Sequence, residues 1–156
     1  MTTLPTITLE VSHRFSHAAD KVWQMAGDFG GLLAWLPGVT ACRVEGSGAA
    51  AAGGNAERLV TLLDGSITRE RLESLDDANR RYEYSILEAK GFTADNEYRA
   101  TFQVLPVDAA SSEVRWGVRL RLPAGVSADK QAKLKTRIEQ TYVMFLQNLQ
   151  NVLAQS

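Results

Sequence analysis

From Ser127 to Gln155 the chain contains neither proline nor glycine, and its apolar residues recur every three or four positions. Leu134, Ile138, Thr141, Tyr142, Phe145, Leu149 and Val152 fall on one stripe, widened by Val143, Leu146 and Leu153. That spacing predicts a helix roughly 43 Å long at ~1.5 Å per residue. Ser127 offers a capping hydroxyl, Asp129 suits the positive end of the helix dipole, and Pro123 and Gly125 end whatever comes before. A stripe of this length must lie on an extended apolar surface, so the remainder of the chain has to supply one.

The preceding residues read mostly as strands. Ile7 to Phe15 alternates, with Ile7, Leu9, Val11, His13 and Phe15 on one face. Ser16 is positioned to cap a short helix over 18–27 that carries Val22, Trp23 and Met25 and stops at Gly27. A second short helix, Leu32 to Trp35, ends at Pro37. Val39 to Glu45 is a strand, and Gly46 to Asn55 has no large apolar group to pack, which predicts a mobile hairpin loop. Five more strands follow: Arg58–Leu63, Ile67–Leu75, Arg80–Leu87, Glu97–Val107 and Glu113–Leu122. Asp64-Gly65 is a strong hairpin dipeptide between the first two. The last strand alternates so that Val114, Trp116, Val118, Leu120 and Leu122 point inward and Arg115, Arg119 and Arg121 outward. Burying three arginines without carboxylates would be far too costly. The expected fold class is α+β: one seven-stranded curved antiparallel sheet, two short helices, and the long C-terminal helix across the concave face.

With 156 residues, 45% of them hydrophobic, the chain is read as a single domain, 1–156, because a chain of this size buries close to ~70% of its unfolded surface. Lys+Arg number 17 against 18 Asp+Glu, so no overall field draws in nucleic acid. The single Cys42 and the lack of a basic-then-apolar leader predict a cytoplasmic setting. No stretch reaches the roughly 20 apolar residues of a membrane span.

Three local patterns coincide: Val22-Trp23 followed by Trp35-Leu36-Pro37; Arg69-Glu70-Arg71-Leu72-Glu73-Ser74-Leu75-Asp76-Asp77 followed by Tyr82-Glu83-Tyr84-Ser85-Ile86; and the closing amphipathic helix. Together they resemble the helix-grip (SRPBCC or START-like) superfamily, most closely its polyketide cyclase/dehydrase and lipid-transport family, over Ile7 to Leu153. Plant abscisic-acid receptors are more distant relatives. The resemblance implies a hydrophobic cavity between sheet and long helix. Val60, Leu62, Thr68, Glu70, Tyr84, Ile86, Tyr98 and Ala100 would face it from the strands, with Met144 and Asn148 from the helix. His13, Phe102, Thr141 and Phe145 complete the candidate lining. Two departures argue against a hormone receptor: Leu63-Asp64-Gly65-Ser66-Ile67 replaces the receptors' gate run, and their anchoring lysine falls near Leu36.

Glu70 is the most informative polar residue. On a cavity-facing strand a carboxyl is desolvated, which favours its protonated form and would let it serve as general acid or base; the alternatives are a salt bridge or a contact with a ligand hydroxyl. Tyr84 and Tyr98 would orient a carbonyl or hydroxyl, or serve as plain core aromatics. His13 and His17, four apart, lack a third ligand for a metal, Cys42 lacks a catalytic histidine signature, and Gly46-Ser47-Gly48 fails the dinucleotide pattern, so no metal or cofactor is expected. Lys130, Lys133, Lys135 and Arg137 make the start of the long helix basic, either a solvated face or a docking patch for an anionic membrane or partner. The leading expectation is a monomeric or homodimeric protein that binds a hydrophobic or aromatic small molecule, lipid-like or polyketide-like. The alternative is a cyclase/aromatase or dehydratase using Glu70 with Tyr84 or Tyr98, and a third option is a regulatory interaction protein.

Overall fold

A computed structural model describes residues 4–46 and 56–155. The expected mobile loop falls mainly on residues 47–55, outside the described residues.

Seven strands form one antiparallel sheet: β1 (Thr6–Phe15), β2 (Val39–Glu45), β3 (Glu57–Leu62), β4 (Ile67–Asp76), β5 (Arg81–Ala89), β6 (Phe92–Asp108) and β7 (Ser111–Arg121). Their spatial order is β1-β7-β6-β5-β4-β3-β2, so every neighbour except β1–β7 is also a neighbour in sequence. Register shifts on β2, β4, β5 and β6 insert unpaired residues that bend and twist the sheet into a trough. Strand β6 begins at Phe92, five residues earlier than its expected start at Glu97. The extra length crosses a bulge at which Glu97 takes a left-handed φ of 46°. Within it Asn96 Oδ1 accepts from the Thr93 N–H, and its Nδ2 donates to the Arg121 carbonyl, so side-chain bonds replace the missing ladder.

Helix α1 (Ala19–Ala26) starts after Ala18, not at a Ser16 cap, and no side chain caps it. It is pinned from outside instead: Arg80 meets Asp20 at 2.7 Å, and the Trp23 indole donates to Asp77 at 3.0 Å. Its end at Gly27 is as expected, because a Cβ there would meet the Trp23 ring at 2.5 Å. Residues 32–34 form one 3₁₀ turn that buries Leu32 and sets Trp35, 1% exposed, beneath the sheet. Gly65, at φ 84°, closes the β3–β4 hairpin that its Asp-Gly pair announces.

The long helix α2 spans Ala128–Ala154, and the Ser127 hydroxyl accepts from the Lys130 N–H as its cap. Its buried line is Ile138, Tyr142, Leu146, Leu149 and Leu153, laid on the inward residues of the sheet. Val143 and Met144, at 37% and 49% exposure, lie on the outer side, so the apolar stripe is narrower than the sequence suggests. The β7 alternation holds: Val114, Trp116, Val118, Leu120 and Leu122 are buried, while Arg115 and Arg119 are exposed.

Leu149→Ala should destabilise the protein by about 2–5 kcal/mol in urea unfolding, because Leu149 is fully buried, whereas Val143→Ala should stay within about 0.5 kcal/mol. Similar costs for the two would mean that α2 is not seated as described.

Candidate functional site

A cavity of about 520 Å³ lies between the trough of the sheet and α2, within the range of small-molecule sites. Its position follows from strand parity and register. Alternation along β3 turns Arg58, Val60 and Leu62 inward, and the β3–β4 hairpin sets Arg58 opposite Glu70 and Val60 opposite Thr68. The next ladders carry the same face onward, pairing Glu70 with Ile86 and Ile86 with Tyr98. Helix α2 contributes Leu134, Ile138, Thr141, Tyr142 and Phe145, and the segment around the 3₁₀ turn contributes Leu32 and Leu36.

Nine of the expected lining residues meet here: Val60, Leu62, Thr68, Glu70, Tyr84, Ile86, Tyr98, Thr141 and Phe145. Five lie elsewhere. His13 shares a 2.6 Å hydrogen bond with Gln150 and packs edge-on to Phe15. Ala100 is buried between Tyr84 and Val118 on the neighbouring strands, with a side chain too short to reach the space. Phe102 is fully buried, its ring against Trp35, Tyr82 and Trp116. Asn148 donates to the Trp35 carbonyl at 2.7 Å, tying α2 to the 3₁₀ segment, and Met144 faces away.

Arg58 and Tyr142 are among the lining residues that the sequence reasoning missed, with Lys90, Trp116 and Arg137. Arg58 is 2% exposed, and its Nε donates to Glu70 Oε1 at 2.6 Å while a terminal nitrogen donates to the Phe29 carbonyl at 3.0 Å. Its guanidinium lies 4.3 Å from the Phe29 ring centre and 4.9 Å from that of Tyr84. Burial is the largest influence and opposes its charge, but the Glu70 carboxylate together with Tyr82 and Tyr84 more than offsets it and holds Arg58 above the ordinary arginine range. Glu70 is thus an acceptor already engaged by a cation, which is the salt-bridge alternative considered for it. Parity with Val60 and Leu62 was the available signal for Arg58, but a charged residue reads as outward unless its partner across the hairpin is counted.

Tyr142 stacks on Trp116 with ring centres 4.1 Å apart, and its hydroxyl is hydrogen-bonded to that of Tyr98. The Trp116 indole donates to the Tyr84 hydroxyl at 3.1 Å. Burial pushes all three phenols up: Tyr84 with help from the Glu70 charge, Tyr142 with help from its tyrosine neighbours, and Tyr98 despite its bond to Tyr142. They are neutral hydroxyls that can donate or accept, and the polar groups of the cavity wall largely satisfy one another.

The basic residues divide between two places: Arg137 borders the cavity, whereas Arg115, Arg119, Arg121 and Lys135 border a separate depression of about 1360 Å³. Much of its charge is paired, with Arg99 to Glu83 at 2.8 Å and Arg121 to Glu97 at 3.2 Å. No helix among the described residues is long and apolar enough to cross a membrane.

Residues 6–154 match the sequence profile described as polyketide cyclase/dehydrase and lipid transport. Among solved structures, an uncharacterised protein from Bacillus thuringiensis is 27% identical with a TM-score of 0.77, covering 95% of this chain and 99% of its own. The protein XoxI from Bacillus cereus is also 27% identical at 0.77, covering 94% and 95% respectively. A solution structure from Thermobifida fusca is 25% identical at 0.78, covering 95% of this chain and 93% of its own. No curated protein matches the chain significantly.

Two outcomes are expected of the polar cluster. Arg58→Met strands a buried carboxylate and should cost about 3–5 kcal/mol in urea unfolding, whereas Arg58→Met with Glu70→Leu should recover most of that; equal losses would show that the pair is not the cause. The chain's four tyrosines are all raised by burial, so phenolate absorbance should be missing at roughly pH 10 in the folded protein. Above roughly that pH the unfolded chain loses phenolic protons that the folded chain keeps. Stability is therefore full below the unfolded value and falls as pH rises toward the folded ones.

Proposed function

We propose, from the premise that this chain belongs to the polyketide cyclase/dehydrase and lipid transport family, that it binds a small hydrophobic or aromatic molecule in the cavity between its sheet and α2. The observation that carries this reading is a wall of leucine, isoleucine, valine and aromatic side chains around about 520 Å³, in which the buried polar groups already have partners. Such a wall rewards apolar surface removed from water, at roughly 25 cal/mol per Å² before the cost of association, and demands no particular polar group from the ligand. The tyrosine hydroxyls can re-pair with one ligand carbonyl or hydroxyl and so fix its orientation. A cytoplasmic setting accords with the single, half-buried Cys42.

A cyclase or dehydratase is the second reading, favoured by one observation: the Tyr98 and Tyr142 hydroxyls meet each other, with Tyr84 and the Arg58–Glu70 pair in the same wall. In it Tyr98 or Tyr142 donates to a substrate carbonyl, and the Arg58 guanidinium, held in place by Glu70, offsets the negative charge that develops on the oxygen. Turnover of a β-carbonyl chain that Tyr98→Phe abolishes while binding persists would establish it.

Trp116 lines the cavity, so tryptophan fluorescence should change saturably on titration with 1-decanol or naphthalene. Thr141→Trp fills the space from a half-buried helix position and should weaken that binding by about tenfold or more, with the far-ultraviolet dichroism unchanged. Binding that Thr141→Trp leaves intact, or no saturable response to either compound, would sink the proposal.

A further inference from the structure

We infer that the ligand is an anionic amphiphile whose carboxylate stays at the cavity mouth between Arg137 and Lys90 while its apolar body lies inside. This rests on the reading of the cavity as a ligand site and names the chemical class that the site takes.

Four charged side chains line the cavity: Arg58, Glu70, Lys90 and Arg137. The first two neutralise each other in the buried pair, at 2.6 Å. The other two are both cations and both solvent-exposed, so they mark the opening and not the interior. They come from different elements: Lys90 from the turn between β5 and β6, Arg137 from α2. Lys90 is held by Asp64 of the β3–β4 turn at 3.2 Å, and Asp64 also accepts the N–H and hydroxyl of Ser66. Asp64 stays ionised, its Ser66 bonds and Lys90 bringing it down to about 2. That contact takes up much of the Lys90 charge.

Arg137 differs. No carboxylate pairs with it among the described residues, and the neighbouring lysine one turn earlier, Lys133, is matched to Asp129. Leu134, Ile138 and Thr141, which flank Arg137 on the same helix, face the cavity. Its guanidinium therefore stands at the border between an apolar interior and water, where a ligand carboxylate can meet it without being fully desolvated. A planar fork of donors is the group that best fits a carboxylate there. A neutral ligand would leave this cation in water and gain nothing from it.

The test compares decanoate with 1-decanol, equal in chain length and different in charge, by tryptophan fluorescence at low ionic strength. The expected result is decanoate binding about tenfold tighter than 1-decanol. Arg137→Gln should remove most of that advantage and leave 1-decanol unchanged, Arg137→Lys should keep part of it, and Lys90→Gln should cost less because Asp64 already engages Lys90. Equal affinity of the two compounds, or an Arg137→Gln effect that is the same for both, overturns the inference while leaving the hydrophobic cavity standing. Failure of both compounds to bind overturns the cavity reading itself, and this inference with it. Arg137 is exposed, so the variant's unfolding midpoint should match that of the parent, which separates a binding effect from a folding one.

Discussion

Ile138, Tyr142, Leu146, Leu149 and Leu153 can leave water in one place, the inner face of the sheet, and most of the architecture follows from seating them there. Each buried large side chain is worth about 1.5–3 kcal/mol, so the row outweighs the ordering of a helix that would be marginal alone. The fit is not uniform along the helix. Toward its C-terminal end Leu149 and Leu153 are fully packed, whereas nearer its start Leu134 and Phe145 are only partly buried and border open space. A trough bent by bulges and a long helix do not stay in contact over their whole length, and the cavity is the region where they part.

Polar groups in such a gap are costly unless they find partners. Arg58 and Glu70 come together because a hairpin centred on Asp64-Gly65 sets them directly opposite on adjacent strands. The tyrosines solve the same problem from three directions, since Tyr84 and Tyr98 come from the sheet and Tyr142 from the helix. This mutual pairing leaves the buried polar groups of the wall hydrogen-bonded to one another. The same arrangement serves a carrier, which needs one orienting contact, or a catalyst, which needs several groups at one point.

The sequence was most legible where one physical preference dominated. Alternation in β1 and β7 correctly separated buried from exposed residues, because a one-residue slip would have turned every arginine of β7 inward. Ser127 capped α2 as its position implied, whereas Ser16 did not cap α1, whose ends are fixed by Asp20–Arg80 and by the Trp23 ring over Gly27. Val143 was misread as facing inward because helical spacing gives the direction of a stripe and not its width, and Met144, assigned to the cavity by resemblance, also faces outward. For the site, residues such as Val60, Thr68, Ile86 and Tyr98 could be placed from the family resemblance, and the strand parity of the structure agrees. Phe102 and Asn148 could not, since whether an inward side chain touches a void or another side chain depends on every neighbour at once.

The amino-acid pattern by itself determined the order of elements, the antiparallel sheet, the long amphipathic helix and the inward faces of β1 and β7, because these obey periodicities of two and about 3.6 residues that act locally. Only the tertiary structure decided where sheet and helix separate, that Arg58 is the buried counter-ion of Glu70, that Tyr142 joins Tyr98, and that Arg137 stands beside the opening with no carboxylate partner among the described residues. Those features are distances between residues far apart in the chain, set by how much the sheet bends and by which side chains reach across. Local preference acts over a few residues and carries no information about such gaps, so the chemistry of the cavity appears only once the trough has closed on the helix.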